Sequence, residues 1–235
     1  MNLKAHSPHF YQIAHYGLIN CYIVLENDGL TLVDTGIAGT AKLIEEGVAQ
    51  LGQPVQRILL THAHGDHVGG LDALHTRYPD AEVLIGKRDA RLLRGDTSLE
   101  PDEPQTKIRG GVMKTETQPT KQLSEGDRIG SLQAVASPGH TPGHMAFLDT
   151  RDNTLIAGDA FTTQGGLAVA GQLRPFFPLP YFATWHAPTA LESAKKLIAL
   201  KPTRLATGHG VVLEQPTSAM QRVTEAFEKK VGTRR

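Results

Sequence analysis

Apolar positions along the chain follow two periods. The runs Asn20 to Glu26 and Leu30 to Asp34 are strand-like and flank Asn27-Asp28-Gly29, a strong hairpin signal. Leu43, Ile44, Val48 and Leu51 then recur at helical spacing. Thr40 is expected to cap that helix, and Gly52 and Pro54 to end it. Val55 to Thr61 reads as a strand, Val68 to Tyr78 as a helix with Leu71 and Leu74 inward, and Glu82 to Gly86 as a strand. This alternation argues for an α/β architecture.

From about Gly95 to Gln122 the pattern fades. Asp, Glu, Pro, Thr and Lys dominate, so the segment reads as an exposed insertion or lid at about 95–122, with room for one short helix. Strand-like runs resume at 127–130, 132–136, 146–149 and 154–157. A Gly-, Pro- and aromatic-rich stretch, Thr163 to Phe182, leads to a helix over about Pro188 to Leu200 with Leu191, Leu197 and Ile198 inside. Arg204 to Thr207 is a short strand, and Thr217 to Lys230 a helix that buries Met220, Val223 and Phe227. The halves share one grammar, strands first and then helices. It predicts two sheets packed face to face with helices outside.

Composition narrows this picture. The 235 residues suit one large domain, residues 1–235, or two fused halves, with a substantial core either way. Formal net charge is zero, so nothing in it favours nucleic acid or an anionic membrane as partner. Residues 1–8 carry no apolar signal-peptide core, and no apolar run approaches the ~20 residues of a membrane span. The single cysteine, Cys21, cannot form an intrachain disulfide and reads as a small core residue. A cytoplasmic protein is the expectation.

The chemistry is concentrated in Thr61-His62-Ala63-His64-Gly65-Asp66-His67. His62 and His64 are two apart, so in extended chain they leave on one side and can reach one ion. Asp66 and His67 come where the chain turns, and can address a second position. Histidine with carboxylate suits zinc, and also iron or manganese. Three further candidates, His140, Asp159 and His209, each follow a strand-like run and a small residue. Strand ends in α/β sheets commonly build sites, which favours convergence. His6, His9, His15 and His75 have no such context and are read as ordinary histidines.

These residues carry a resemblance to the metallo-β-lactamase superfamily. Its HxHxDH motif is similar to His62, His64, Asp66 and His67, and its downstream His, Asp and His match His140, Asp159 and His209. Asp34-Thr35-Gly36 resembles the Asp-containing strand end of that family. The resemblance covers about residues 10 to 210. It implies a four-layer αββα sandwich of two mixed β-sheets with helices on both outer faces. It implies one metal held by His62, His64 and His140, another by Asp66, His67 and His209, and Asp159 bridging both. Asp34 would orient a ligand histidine, and His144 would be structural or a support to the ligands.

The implied activity is that of a hydrolase with two divalent ions, zinc foremost. A hydroxide bridging ions about 3.5–4 Å apart would attack a carbonyl carbon. Asp66 and Asp159 would be the catalytic carboxylates, Asp66 or a metal-held water protonating the leaving group. Asp159 together with His67 resembles the glyoxalase II and lactonase side of the family. A lactone, ester or thioester of a small acyl group is the expected substrate. Glyoxalase II-type hydroxyacylglutathione hydrolysis, a mononuclear iron persulfide dioxygenase and a non-catalytic metal-binding module are the alternatives. Lactonases of the family often carry Tyr where this chain has Thr162. Thr162, Phe176, Phe177, Tyr181 and Phe182 are the residues expected to line the substrate pocket. No nucleic-acid or membrane partner is expected, and a homodimer is allowed for.

Overall fold

The N-terminal polar stretch, which periodicity leaves unassigned, pairs into two strands ahead of the expected hairpin. In the computed structural model, which describes residues 3–232, these are β1 (Leu3–Ser7) and β2 (Phe10–His15). The hairpin follows as β3 (Ile19–Glu26) and β4 (Gly29–Val33). Then come α1 (Thr40–Leu51), β5 (Val55–Leu60), α2 (Gly65–Val68), α3 (Leu71–Arg77), β6 (Glu82–Gly86), α4 (Asp89–Leu93) and β7 (Lys121–Leu123). The seven strands form one sheet in chain order. β1 to β4 run antiparallel, and β4 to β7 are parallel neighbours. Phe10, Ile13, Ile23, Leu30, Leu32 and Ile58 are fully buried. Each such side chain contributes roughly 1.5–3 kcal/mol relative to exposure.

This sheet belongs to the first of two compact units, the described residues up to Asp96 together with Gly111–Leu123. Two local expectations are corrected here. Thr40 is the first helical residue and not the cap. Gly39 holds the cap position without a side-chain bond, and the Thr40 hydroxyl pairs with His15 Nδ1 at 2.7 Å. The helix expected from Val68 to Tyr78 is two pieces, broken at Gly69-Gly70. The backbone passes so close to Thr35 that a Cβ on Gly70 would lie 2.5 Å from its carbonyl oxygen. Leu71 and Leu74 still face inward.

The second unit comprises Thr97–Gly110 and the described residues from Ser124 onward. Its elements are β8 (Arg128–Ile129), β9 (Leu132–Ala136), β10 (Met145–Asp149), β11 (Thr154–Ile156), β12 (Phe161–Thr162), β13 (Ala168–Val169), α5 (Leu179–Ala183), α6 (Ala187–Ala199), β14 (Arg204–Ala206), β15 (Leu213–Glu214) and α7 (Thr217–Gly232). A six-stranded sheet has the order β15-β14-β11-β10-β9-β8, mixed because β11 and β14 run parallel. β12 and β13 form a separate ribbon, β12 just ahead of the Gly-, Pro- and aromatic-rich stretch and β13 within it. Leu148, Leu155, Phe161 and Leu205 pack with Leu191 and Leu197 of α6 and with Met220 and Phe227 of α7. Among the described residues no helix is long and apolar enough to cross a membrane.

The segment expected as an insertion holds no helix among its described residues, and it is anchored. Asp72 of α3 takes two backbone bonds from it, Thr117 N–H at 2.7 Å and Glu116 N–H at 3.2 Å. Burial raises the Asp72 pKa, but these bonds outweigh it and hold the carboxyl below its ordinary value. A depressed carboxyl stabilises the fold above the unfolded pKa, about 3.9, and loses that contribution as pH falls through the folded value. Asp72→Ala is expected to lower unfolding stability by about 2 kcal/mol at pH 7. Urea midpoints should show the gap to the parent narrowing at pH 3, and an unchanged midpoint at pH 7 would refute the anchoring role.

Candidate metal centre

The first unit presents its donors where β5 ends. The loop after Leu60 stays extended through His64, whose φ and ψ are −79° and 148°, so His62 and His64 share a side. Asp66 and His67 then sit on α2. Donor atoms of His62 and His64 lie within 4.8 Å of one another, as do those of His62 and His67, and those of Asp66 and His67. His62, His64 and His67 are buried, whereas the Asp66 side chain is 38% exposed.

Proton positions in this unit follow from Asp34. The Thr61 hydroxyl donates to Asp34 Oδ2 at 2.8 Å, so it can only accept from His62 Nδ1, 3.0 Å away. His67 Nδ1 bonds Asp34 Oδ2 directly at 2.8 Å. One buried carboxylate thus holds both rings in the tautomer that leaves Nε2 with its lone pair. His62 Nε2 lies 3.1 Å from His64 Nδ1. Two zinc–nitrogen bonds of about 2.0–2.1 Å at a tetrahedral angle place their nitrogens roughly 3.3 Å apart. The donor set therefore fits a divalent ion.

Further residues brace this loop. Asp89 of α4 accepts the backbone N–H of Ala63, between the two histidines, at 3.1 Å. Residues 111–113 pair with the loop, Gly65 N–H to Gly111 at 2.8 Å and Met113 N–H to Ala63 at 3.1 Å. Cys21 lies in the core, and its thiol is pushed well up by burial first and then by the charges of Asp34 and Asp66. It is not a nucleophile.

The second unit assembles its own three donors. His140 Nε2 and His209 Nε2 lie 3.4 and 3.2 Å from the same oxygen, Asp159 Oδ2. The Thr184 hydroxyl gives its proton to Pro180 O at 2.6 Å, so it accepts from His140 Nδ1 at 3.2 Å. His140 too is left with its lone pair on Nε2. Trp185 and His186 donate backbone N–H groups to His140 O and Gly139 O. That seating needs glycine at 139: φ is +133°, and a Cβ would meet Ala190 N at 2.3 Å. His144 is fully buried, and its Nε2 accepts the Asp159 backbone N–H at 3.1 Å. Its other nitrogen lies 2.9 Å from Ser137 Oγ. His144 therefore holds Asp159 through the backbone.

The expected pocket residues part company in the structure. Thr162 is buried, with its hydroxyl 3.4 Å from His209 O. The Phe177 ring is 5.1 Å from that of His209. Phe176 and Phe182 are exposed, and Tyr181 lines a cavity beside Trp185. Sequence reasoning missed Thr61, Asp89 and Thr184. Only Asp89 left a signal, an acid directly before Ala90 and close to the apolar pair Leu92-Leu93.

Residues 16–209 match the profile of the metallo-β-lactamase superfamily, across both donor sets. The chain belongs to that superfamily. YobT of Bacillus subtilis (strain 168) is 52% identical over 212 residues, 90% of this chain and 91% of YobT. From the same organism, the probable metallo-hydrolase YflN is 31% identical over 204 residues, 79% of this chain and 77% of YflN. The atrochrysone carboxyl ACP thioesterase of Aspergillus fumigatus is 31% identical over 153 residues, 64% of this chain and 31% of that protein. Among solved structures, a β-lactamase from Chitinophaga pinensis aligns with TM-score 0.70 and 21% identity over 100% of this chain and 94% of its own. TTHA1623 in a di-iron-bound form aligns with TM-score 0.62 and 28% identity over 86% of this chain and 92% of its own. The superfamily fold expected from the motifs is the fold of this chain, and the superfamily's relatives mark it as a metallo-hydrolase with His and Asp metal-binding clusters.

Proposed function

We propose that the chain is a dinuclear hydrolase that cleaves a lactone, ester or thioester of a small acyl substrate. The observation that carries the reading is Asp159 Oδ2, close to the Nε2 atoms of both His140 and His209. In this reading His62, His64 and His140 would hold one ion and Asp66, His67 and His209 the other, with Asp159 as a donor available to either. Bound divalent ions would supply a water acidified to a pKa of about 7 and a Lewis acid for the carbonyl oxygen. The chain's own residues do the rest. Asp34, through Thr61 for His62 and directly for His67, and Thr184 for His140 engage Nδ1 of each ring, so that Nε2 carries the lone pair. Asp66, the donor most open to solvent, holds and delivers the leaving-group proton through its carboxylate. The thioesterase relative supports a carbonyl substrate, and the di-iron neighbour keeps iron beside zinc as the metal.

Elemental analysis of purified protein, paired with a panel of lactones, thioesters, β-lactams and phosphodiesters, tests this. Two ions per chain are expected, with turnover of carbonyl esters that a chelator abolishes and added metal restores. Full turnover by metal-free protein would overturn the proposal. Oxygen uptake with glutathione persulfide and one iron per chain would replace it with the dioxygenase.

A further inference from the structure

The second unit contains a cavity of about 630 Å³ whose lining includes none of the metal donors. Segments 106–109, 171–173, 181–188 and the end of α7 enclose it. That volume is in the range of pockets that enclose small organic ligands. Tyr181, Trp185 and Phe227 give it aromatic walls. Two polar side chains in the lining each have a donor left over. Gln172 is only 7% exposed, and its amide oxygen accepts the Val169 N–H at 3.3 Å. A backbone N–H facing the amide identifies that end as oxygen, so the NH2 group is the end left over. It has no partner among the described residues. A donor left without an acceptor on a buried residue is a cost that a ligand oxygen would remove. The second donor belongs to His186. Burial lowers its pKa, so the ring is neutral near pH 7. Its Nδ1 accepts the Thr189 N–H at 3.3 Å and caps α6, so the single ring proton is on Nε2. That N–H also has no partner among the described residues. Arg109 and Lys230 border the space too, but each has an interaction of its own.

We infer that this cavity binds an uncharged aromatic carbonyl compound, its ring against Trp185 and Tyr181 and its carbonyl oxygen accepting from the Gln172 amide and from His186 Nε2. One carbonyl oxygen has two lone pairs and can take both donors. The donors come from segments in contact. A Cβ on Gly171 would lie 3.0 Å from Ala187 Cβ and 3.2 Å from Thr184 Cγ2, so the residue before Gln172 is seated on residues to either side of His186. The wall is built to keep its shape. The Trp185 indole N–H donates to Thr106 O at 2.8 Å, which ties segment 106–109 across to the start of α6. With that donor satisfied, the indole offers a ligand its apolar surface. The same wall seats His140, because Trp185 and His186 donate backbone N–H groups to His140 O and Gly139 O. An occupant would therefore lie against the support of a donor residue. Nothing in this depends on ester hydrolysis or on a bound metal.

Trp185 is the only tryptophan in the chain and lies in the wall, so its emission reports on occupancy. The emission is to be titrated with N,N-diethylbenzamide, a neutral probe whose carbonyl accepts hydrogen bonds and which has no donor. The titration is run on the protein as purified and again after chelation. A saturable change with the same midpoint is expected under both conditions, because no metal donor lines the cavity. Gln172→Met keeps the length of the side chain and removes the amide. His186→Asn keeps an oxygen to cap α6 and removes the Nε2 donor. Each substitution should weaken the probe about fivefold, the size of one neutral hydrogen bond. Thermal melts show which variants keep the fold, and either folded variant suffices for the comparison. The parent titration needs no variant at all. No saturable change in the parent, a change that chelation removes, or undiminished affinity in a folded variant would overturn the inference.

Discussion

Asp159→Ala is expected to leave the protein with one ion or fewer in place of the proposed two, and to cut turnover of a carbonyl ester about 10³-fold. The size follows from losing several kcal/mol of charge stabilisation at the reacting carbonyl. Asp159 is buried, and one of its oxygens lies 3.4 and 3.2 Å from two imidazole nitrogens. Alanine removes the oxygen that both rings face. The backbone at 159 has its own support, because His144 binds its N–H, and alanine keeps that bond. Far-UV circular dichroism should therefore match the parent while metal content falls. Asp159→Glu retains a carboxylate but displaces it by a methylene, and should recover part of the metal without recovering turnover. Undiminished metal and turnover in the alanine variant would remove Asp159 from the centre.

How far the sequence reaches can be judged from particular residues. The hairpin at 27–29 was legible because its turn chemistry is local, and α6 and α7 because Leu191, Leu197, Met220 and Phe227 recur at helical spacing. β1 and β2 were not, since their polar and histidine residues mask any alternation. α4 has five residues, too few to express a period. The donors themselves were legible because His62 to His67 are contiguous and the later three share one local form. Their supports were not. Thr61 matters only because Asp34, 27 positions earlier, comes to it, and Thr184 only because His140, 44 positions earlier, does. A threonine carries no mark of such a partner. Within 95–122 the stretches 97–110 and 111–122 belong to different units, which the sequence does not mark, because the anchoring bonds of Thr117 and Gly65 are made by backbone groups that any residue has.

Asp34→Asn should separate support of the centre from support of the fold. Asp34 sits at φ +60°, a conformation that Asn tolerates about as well as Asp, so the turn can form. The asparagine oxygen can still accept from the Thr61 N–H and hydroxyl, which Asp34 Oδ1 does at 2.8 and 3.1 Å. The amide nitrogen then replaces Oδ2 opposite His67 Nδ1, where two donors would meet. The ring escapes by moving its proton to Nε2, the nitrogen needed for a metal. Loss of metal affinity by about 10–100-fold is expected, the range for removing a carboxylate that orients a ligand histidine. Thermal stability of the metal-free variant should change little, whereas Asp34→Ala, which also strands the Thr61 donors, should lose about 3 kcal/mol or more. The readouts are metal titration against a competing chelator and thermal melts of the metal-free proteins. A variant that binds metal as tightly as the parent would show that His67 does not owe its tautomer to Asp34. One that melts as early as Asp34→Ala would show that the carboxylate serves the turn rather than the centre.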